Sequence, residues 1–323
     1  MLARFAIAAL AVFASFGVAA AQDGGKVKVV ASFSIIADVV RHVGGERVAV
    51  TSLVAPNADA HVFSPAPADA RIVGEADLIV VNGLGFEGWL DRLVKASGSK
   101  APVVIATRGI KAIKTEEDHG HGHKHGHGHQ HGHKHGHKKS SKHDHDHGPS
   151  DPHAWQSVRN VMVYATNVRD ALIAADPDGK DAYEANARAY LGDLEALDRE
   201  VRDAIAKIPE DARRVVTNHD AFAYFAAEYG LQFMAVHGLA SEAQASAKDV
   251  ARIIAQVRKH KIRAVFLENI SDERQVRRIA KETGARIGGT LYSDALTGRD
   301  GPAPTYIDMI RHNLRPLQSA LMS

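Results

Sequence analysis

Metal ligation is the chemistry this chain is best equipped for. Its 323 residues include 20 histidines and 38 aspartates and glutamates, but no cysteine. Without a thiolate, any zinc site must be built from His, Asp or Glu. Thirteen of the histidines crowd into one segment, 118–148: His119, His121, His123, His125, His127, His129, His131, His133, His135, His137, His143, His145 and His147. Imidazole suits zinc, copper, nickel and iron, so this run can take up metal. Two arguments make it an auxiliary, weaker site. Its many near-equivalent ligand sets select no geometry, and each binding event must order a flexible chain. With almost no apolar residues, the segment is expected to be a disordered loop.

Four residues elsewhere offer a more definite constellation. His61 lies in the proline-bounded loop "APNADAHVFSPAP". His153 lies in "SDPHAW", directly before a helical pattern. His219 lies in "VVTNHDAF", where a strand gives way to a helix, and Asp294 in "TLYSDAL", after the last strand. Three neutral imidazoles and one carboxylate make a tetrahedral set that suits zinc. Taken singly, each has a plainer reading: a surface histidine on a loop, or an aspartate capping a turn. Spacing alone leaves both readings open. Asp59 and Glu268 are lower-ranked substitutes for the fourth ligand. His42, His237, His260 and His312 read as helix-end, helix-face or strand-end residues.

These ligands need a scaffold, and the hydrophobic pattern supplies one. "KVKVVASFSIIADVVRHVGG" reads as a buried strand and then an amphipathic helix closed by glycine. "RVAVTSLVA", "DLIVVNG" and "PVVIA" are further strands, separated by the helices "PAPADARIVGEA" and "EGWLDRLVKAS". After the histidine run come the helix "VRNVMVYATNVRDALIAA" and a long helix over 178–208. Strands then alternate with helices again: "RRVVTN", "LQFMAVHGL", "IRAVFLEN" and "ARIGGTLY", with a capping box at Ser246 and Asp249 opening one helix. A closing helix follows at "TYIDMIRHNLRPLQSAL". The expected fold is α/β, with two lobes, each a mainly parallel sheet flanked by helices, joined by one long rigid helix acting as a spacer. The expected divisions are 1–21, 22–177 with the histidine-rich loop, 178–208 and 209–323. Ligands in such sheets gather at the carboxyl ends of strands, and a cleft between lobes is a common site.

The start, "MLARFAIAALAVFASFGVAAAQDGG", has a basic residue, an apolar stretch and an Ala-x-Ala pattern, so 1–21 reads as a secretory signal peptide. The mature protein is then expected in the periplasm, soluble and without a lipid anchor, since an anchor there needs a cysteine. A formal net charge of +2 is too balanced to suggest a nucleic-acid footprint.

With these residues in view, the chain resembles the metal-binding receptors of bacterial ABC importers, the cluster A-I or zinc-uptake (ZnuA/TroA-like) family. The resemblance is carried by "NADAHVFSPAPADARIVGEADLIVVNGLGFEGWLDRL", "DPHAW", "VVTNHDAFAYFAAEYGL", "ISDERQVRRIAKETGARIGGTLYSDAL" and "TYIDMIRHN", and by a histidine-rich insertion just before "DPHAW". It implies that His61, His153, His219 and Asp294 are the metal ligands. A histidine at the third place, where manganese members usually carry glutamate, favours Zn2+ as the transported ligand. The implied partners are a membrane permease and a separate ATPase, with a zinc chaperone as a further candidate; a monomer is expected, and no enzyme activity. Asp151, Asp220 and Glu268 are candidates to hold the far ring nitrogens of the ligands, and Trp155 and Phe63 to pack the cleft or the lobe interface. Affinity is expected to fall as pH drops below about 6 to 7. The alternatives are a manganese receptor of the same family, a histidine-rich store or chaperone in which the loop is the main site, and a zinc hydrolase.

Overall fold

The computed structural model describes residues 25–114, 150–239 and 246–322. The segment 1–21, read as a signal peptide, and the histidine run lie outside them. Each sheet has four parallel strands. The first has the order β2-β1-β3-β4, from β1 (Val27–Phe33), β2 (Val48–Val54), β3 (Leu78–Val81) and β4 (Val103–Ile105). The second has the order β6-β5-β7-β8, from β5 (Arg214–Thr217), β6 (Gln232–Ala235), β7 (Ala264–Glu268) and β8 (Arg286–Leu291). β3 and β7 are buried along their whole length, the pattern of a central parallel strand covered on both faces.

The helices are α1 (Ser34–Gly44), α2 (Pro67–Gly74), α3 (Leu90–Ser97), α4 (Val158–Ala175), α5 (Lys180–Ala206), α6 (Ala223–Tyr229), α7 (Ala247–His260), α8 (Arg274–Thr283) and α9 (Tyr306–Leu321). The expected capping box is present: Ser246 Oγ accepts from Asp249 N, and Asp249 Oδ2 accepts from Ser246 N. α9 lies close on β8, where a Cβ at Gly288 would come within 2.9 Å of Ala320 Cβ on α9 and 2.5 Å of the Phe266 ring on β7. Only glycine permits that approach.

The long helix α5 has 27 residues. It joins the two halves by lying along both, packed on α1 and α4 on one side and on α6 and α9 on the other. Tyr183, Tyr190, Leu194, Leu197 and Val201 are its buried contacts. One hydrophobic core therefore runs from the first sheet through α4, α5 and α9 onto the near face of the second sheet, including Val215, Ala264 and Phe266. The alternate residues Val216, Val265 and Leu267 point the other way, into a smaller core under α7 and α8. That alternation is the period-two geometry of a strand.

Candidate metal centre

The histidine of the first half sits in the loop after β2. Asn57 takes a left-handed conformation (φ 60°), which asparagine tolerates. Asp59 Oδ1 then accepts from His61 N at 2.8 Å, a side-chain turn that aims the imidazole inward. The Phe86 ring meets the His61 ring edge-on at 4.9 Å.

His153 sits on the turn that enters α4. Upstream, Lys114 and Ser150 form an antiparallel bridge, and Asp151 N donates to Ile113 O. The two sides of segment 115–149 thus meet beside the site. Asp151 Oδ1 accepts both His153 N and His153 Nδ1, each at 2.8 Å. That orients the ring, because Nδ1–H is committed to Asp151 and Nε2 faces inward, where a metal would replace its proton. Trp155 and Phe86 flank the same ring.

In the second half, His219 follows β5 directly. Glu268, at the end of neighbouring β7, faces it with both oxygens: Oε1 accepts from His219 N at 2.9 Å, and Oε2 makes an ion-pair contact 2.5 Å from Nδ1. Asp294 follows β8. Three of the four residues therefore come from the carboxyl ends of strands, as parallel sheets favour.

The four side chains converge. Asp294 Oδ2 is 3.0 Å from His61 Nε2, 3.0 Å from His219 Nε2 and 3.7 Å from His153 Nε2, and the His61 and His153 Nε2 atoms are 3.2 Å apart. All four ligand atoms lie within 4.8 Å of one another. A tetrahedron with metal–ligand bonds of about 2.0–2.1 Å has edges of about 3.3–3.4 Å, so these spacings fit a single ion at the centre. The His153, His219 and Asp294 side chains are fully buried, and that of His61 is 9% exposed. Asp294 Oδ1 is buried and has no hydrogen-bond partner, an acceptor left over for a cation.

The electrostatics agree. Burial alone would pull the His153 imidazole down, but the Asp294 and Asp151 carboxylates outweigh it and push its pKa up to about 9. His219 is also raised against its burial, by Glu268 and Asp294. Burial would raise Asp294, yet His219 and His153 hold it well below the usual carboxylate range. A concentrated negative field thus meets any positive charge placed among the rings. A metal must displace protons there, so proton competition reaches to about pH 9 at His153, above the window of about 6 to 7 expected from ordinary histidine.

The other expected positions divide. Glu268 stands behind His219 and Asp59 is turned to the His61 amide, so neither belongs to the converging four. Asp151 and Glu268 hold ring nitrogens, whereas Asp220 is exposed. Trp155 is fully buried, and its Nε1 donates to Ser293 O at 2.8 Å across the two halves. Phe63 instead packs on Trp89 at 4.8 Å; the ring that lines the site together with Trp155 is Phe86, which nothing in the sequence singles out. His42 stacks on Tyr190 at 4.4 Å and His312 meets Tyr292 edge-on at 4.9 Å. His237 N donates to Asn218 O, and His260 ends α7.

Residues 29–320 match the family described as zinc-uptake complex component A, periplasmic. The chain belongs to this family. It is similar to the manganese-binding lipoprotein MntA of Halalkalibacterium halodurans, with 35% identity over 300 residues, 93% of this chain and 90% of that one. It is also similar to the iron-binding protein YfeA of Yersinia pestis, with 33% identity over 285 residues, 88% of this chain and 83% of that one. Among solved structures, the periplasmic zinc binding protein TroA from Treponema pallidum superposes with a TM-score of 0.79 at 26% identity, covering 92% of this chain and 99% of that one. The protein is thus the substrate-binding component of a metal ABC transporter, which works with a permease and an ATPase, and it is not an enzyme. No described helix is long and apolar enough to cross a membrane.

Proposed function

We propose that this receptor captures zinc in the periplasm through His61, His153, His219 and Asp294 and delivers it to its permease. The observation that carries the reading is the convergence of three imidazole Nε2 atoms and one carboxylate on a buried point. A nitrogen-rich set of four suits zinc better than manganese, which prefers carboxylate, carbonyl and water oxygens. The signal-peptide reading of 1–21 supports export. Several relatives are named as lipoproteins, so they lend no support to a form without a lipid anchor; that reading rests on the absence of cysteine.

Manganese is the second reading. MntA is named for that metal, and the unpartnered Asp294 Oδ1 would let the carboxylate bind through both oxygens and raise the coordination number. The histidine run is proposed as an accessory that gathers metal. The two sheets and the long helix are proposed as the divisions 22–177, 178–208 and 209–323.

The test is chelator competition with Zn2+ and Mn2+ on the mature protein, on a form lacking 118–148, and on the intact-loop form carrying His61→Ala, His153→Ala and His219→Ala. The expected result is one tight zinc that survives loop deletion and is lost in the triple variant, with zinc held at least about 100-fold tighter than manganese. Manganese displacing zinc at equal concentration would exclude the zinc assignment. Tight binding that follows the loop instead of the three histidines would make this a histidine-rich carrier.

A further inference from the structure

The four ligands are not tied to one another equally. Asp294 comes from the second half of the chain, and its neighbours are bonded both to Asn269 of that half, at 3.4 and 3.2 Å, and to the first half. Trp155 Nε1 and Gln156 Nε2 both donate to Ser293 O, at 2.8 and 2.7 Å. These two donors sit on the turn that carries His153. On the other side, Asn57 N, in the His61 loop, donates to Leu296 O at 2.8 Å, and Leu296 N donates to Ser34 Oγ at 3.0 Å. The strap closes at the start of α9, where Tyr306 N donates to Asp38 Oδ2 at 2.9 Å and Tyr306 Oη to Trp155 O at 2.7 Å. The segments that carry His61, His153 and Asp294 are thereby joined by hydrogen bonds with no metal in the linkage.

The His219 turn is bonded differently. His219 N and ring belong to Glu268, Asn218 Nδ2 donates to Asp272 O at 2.7 Å, and Asp220 N donates to Gly238 O at 3.2 Å. All of these partners lie in the second half. Helix α6, just beyond, is anchored to the first half, because Tyr224 Oη donates to Asp151 O and Val158 N donates to Tyr229 Oη. Among the described residues, the turn over 218–222 is therefore without a hydrogen bond to the first half.

We propose that the centre is a preassembled three-ligand half-site plus one ligand that comes and goes: Trp155, Gln156 and Asn57 are positioning residues that hold Asp294 with His61 and His153, and metal is taken up and released by movement of His219. This rests on the receptor reading above. Three ligands in place offer an incoming ion a site with little left to organise, whereas the last ligand sets how long it stays.

Amide hydrogen exchange of the full mature protein, loaded with Zn2+ or stripped by a chelator, tests this, with bound zinc counted on the same samples. On zinc removal, the 218–222 amides should exchange at least about tenfold faster, while 57–61, 153–157 and 293–297 change by less than about threefold. In Gln156→Leu, which keeps the Trp155 bond and so the fold, exchange over 293–297 should become zinc-dependent. The proposal is overturned if 293–297 loosens as much as 218–222 in the unaltered protein, if no segment responds to zinc, or if Gln156→Leu leaves 293–297 unchanged. Failure of the unaltered protein to hold one zinc would instead overturn the receptor reading, and this proposal with it.

Discussion

The two halves have sheets of the same strand order, yet they hold their histidines by different means. In the first half the device is local and used twice. "DAH" and "DPH" each place an aspartate two residues before the ligand, and Asp59 Oδ1 and Asp151 Oδ1 accept from the His61 and His153 amides at the same 2.8 Å. In the second half the grip is long-range, for Glu268 is 49 residues from His219 and reaches it only because β5 and β7 pair. The ligands of the first half are thus oriented by the chain's own turns, and His219 by a finished sheet. The difference makes His219 the proposed ligand most dependent on tertiary structure.

The largest effect is expected at the residue both halves share. Asp294→Ala should abolish tight metal binding and leave two raised imidazoles without their common counter-ion. Loss of a buried partner of this kind costs roughly 3 kcal/mol. The pH dependence follows from the directions of the shifts. His153, raised from 6.5 to about 9, contributes stability that is full below 6.5 and is lost as pH rises through about 9. Asp294, lowered from 3.8, contributes stability that is present above 3.8 and is lost as pH falls below it. Denaturant unfolding of the metal-free protein should therefore show the greatest loss between about pH 4 and 6.5, fading towards 9. A loss that grew towards pH 9 would mean that the imidazoles are not held charged by Asp294.

Neutralising the two carboxylate grips separates the halves directly. Asp151 serves His153 with one oxygen, and the amide oxygen of Asp151→Asn can accept the same two bonds, so zinc affinity should fall less than about tenfold. Glu268 uses both oxygens. In Glu268→Gln the amide NH2 must face either His219 N–H or Nδ1–H, donor against donor, whichever way it is turned. The expected loss is about 10–100-fold, read by chelator competition. Equal losses in the two variants would show that carboxylate charge matters and the number of gripping oxygens does not.

The same contrast explains what could be read in advance. Alternating strand and helix patterns placed both sheets, and the capping box at Ser246 marked the start of α7, because these signals are local. His61, His153, His219 and Asp294, which the structure brings together, can be grouped by their places after strands or before a helix only with the help of the family resemblance. The pairing of Glu268 with His219 was only one candidate among three, since a strand register decides it. Phe86 was missed and Phe63 chosen in its place because an aromatic on a loop carries no mark of which ring it will face. The packed course of α5 was hidden for a similar reason. Its apolar stripe shows that it packs, but not that one face serves both halves.

The smallest effect is expected at the other Asp-x-His turn. Asp59→Ala removes the acceptor for His61 N, and a single hydrogen bond of this type is worth about 1 kcal/mol. His61 is the one ligand whose side chain keeps some exposure, 9%, so water can take over the orphaned amide. Its ring remains braced by Phe86. Zinc affinity should fall by less than about fivefold, and Asp59→Asn should recover it, because the amide oxygen can accept the same bond. If Asp59→Ala costs as much as Glu268→Gln, the His61 loop is as dependent on its carboxylate as His219 is on Glu268. The contrast between a locally oriented first half and a sheet-oriented second half would then fail.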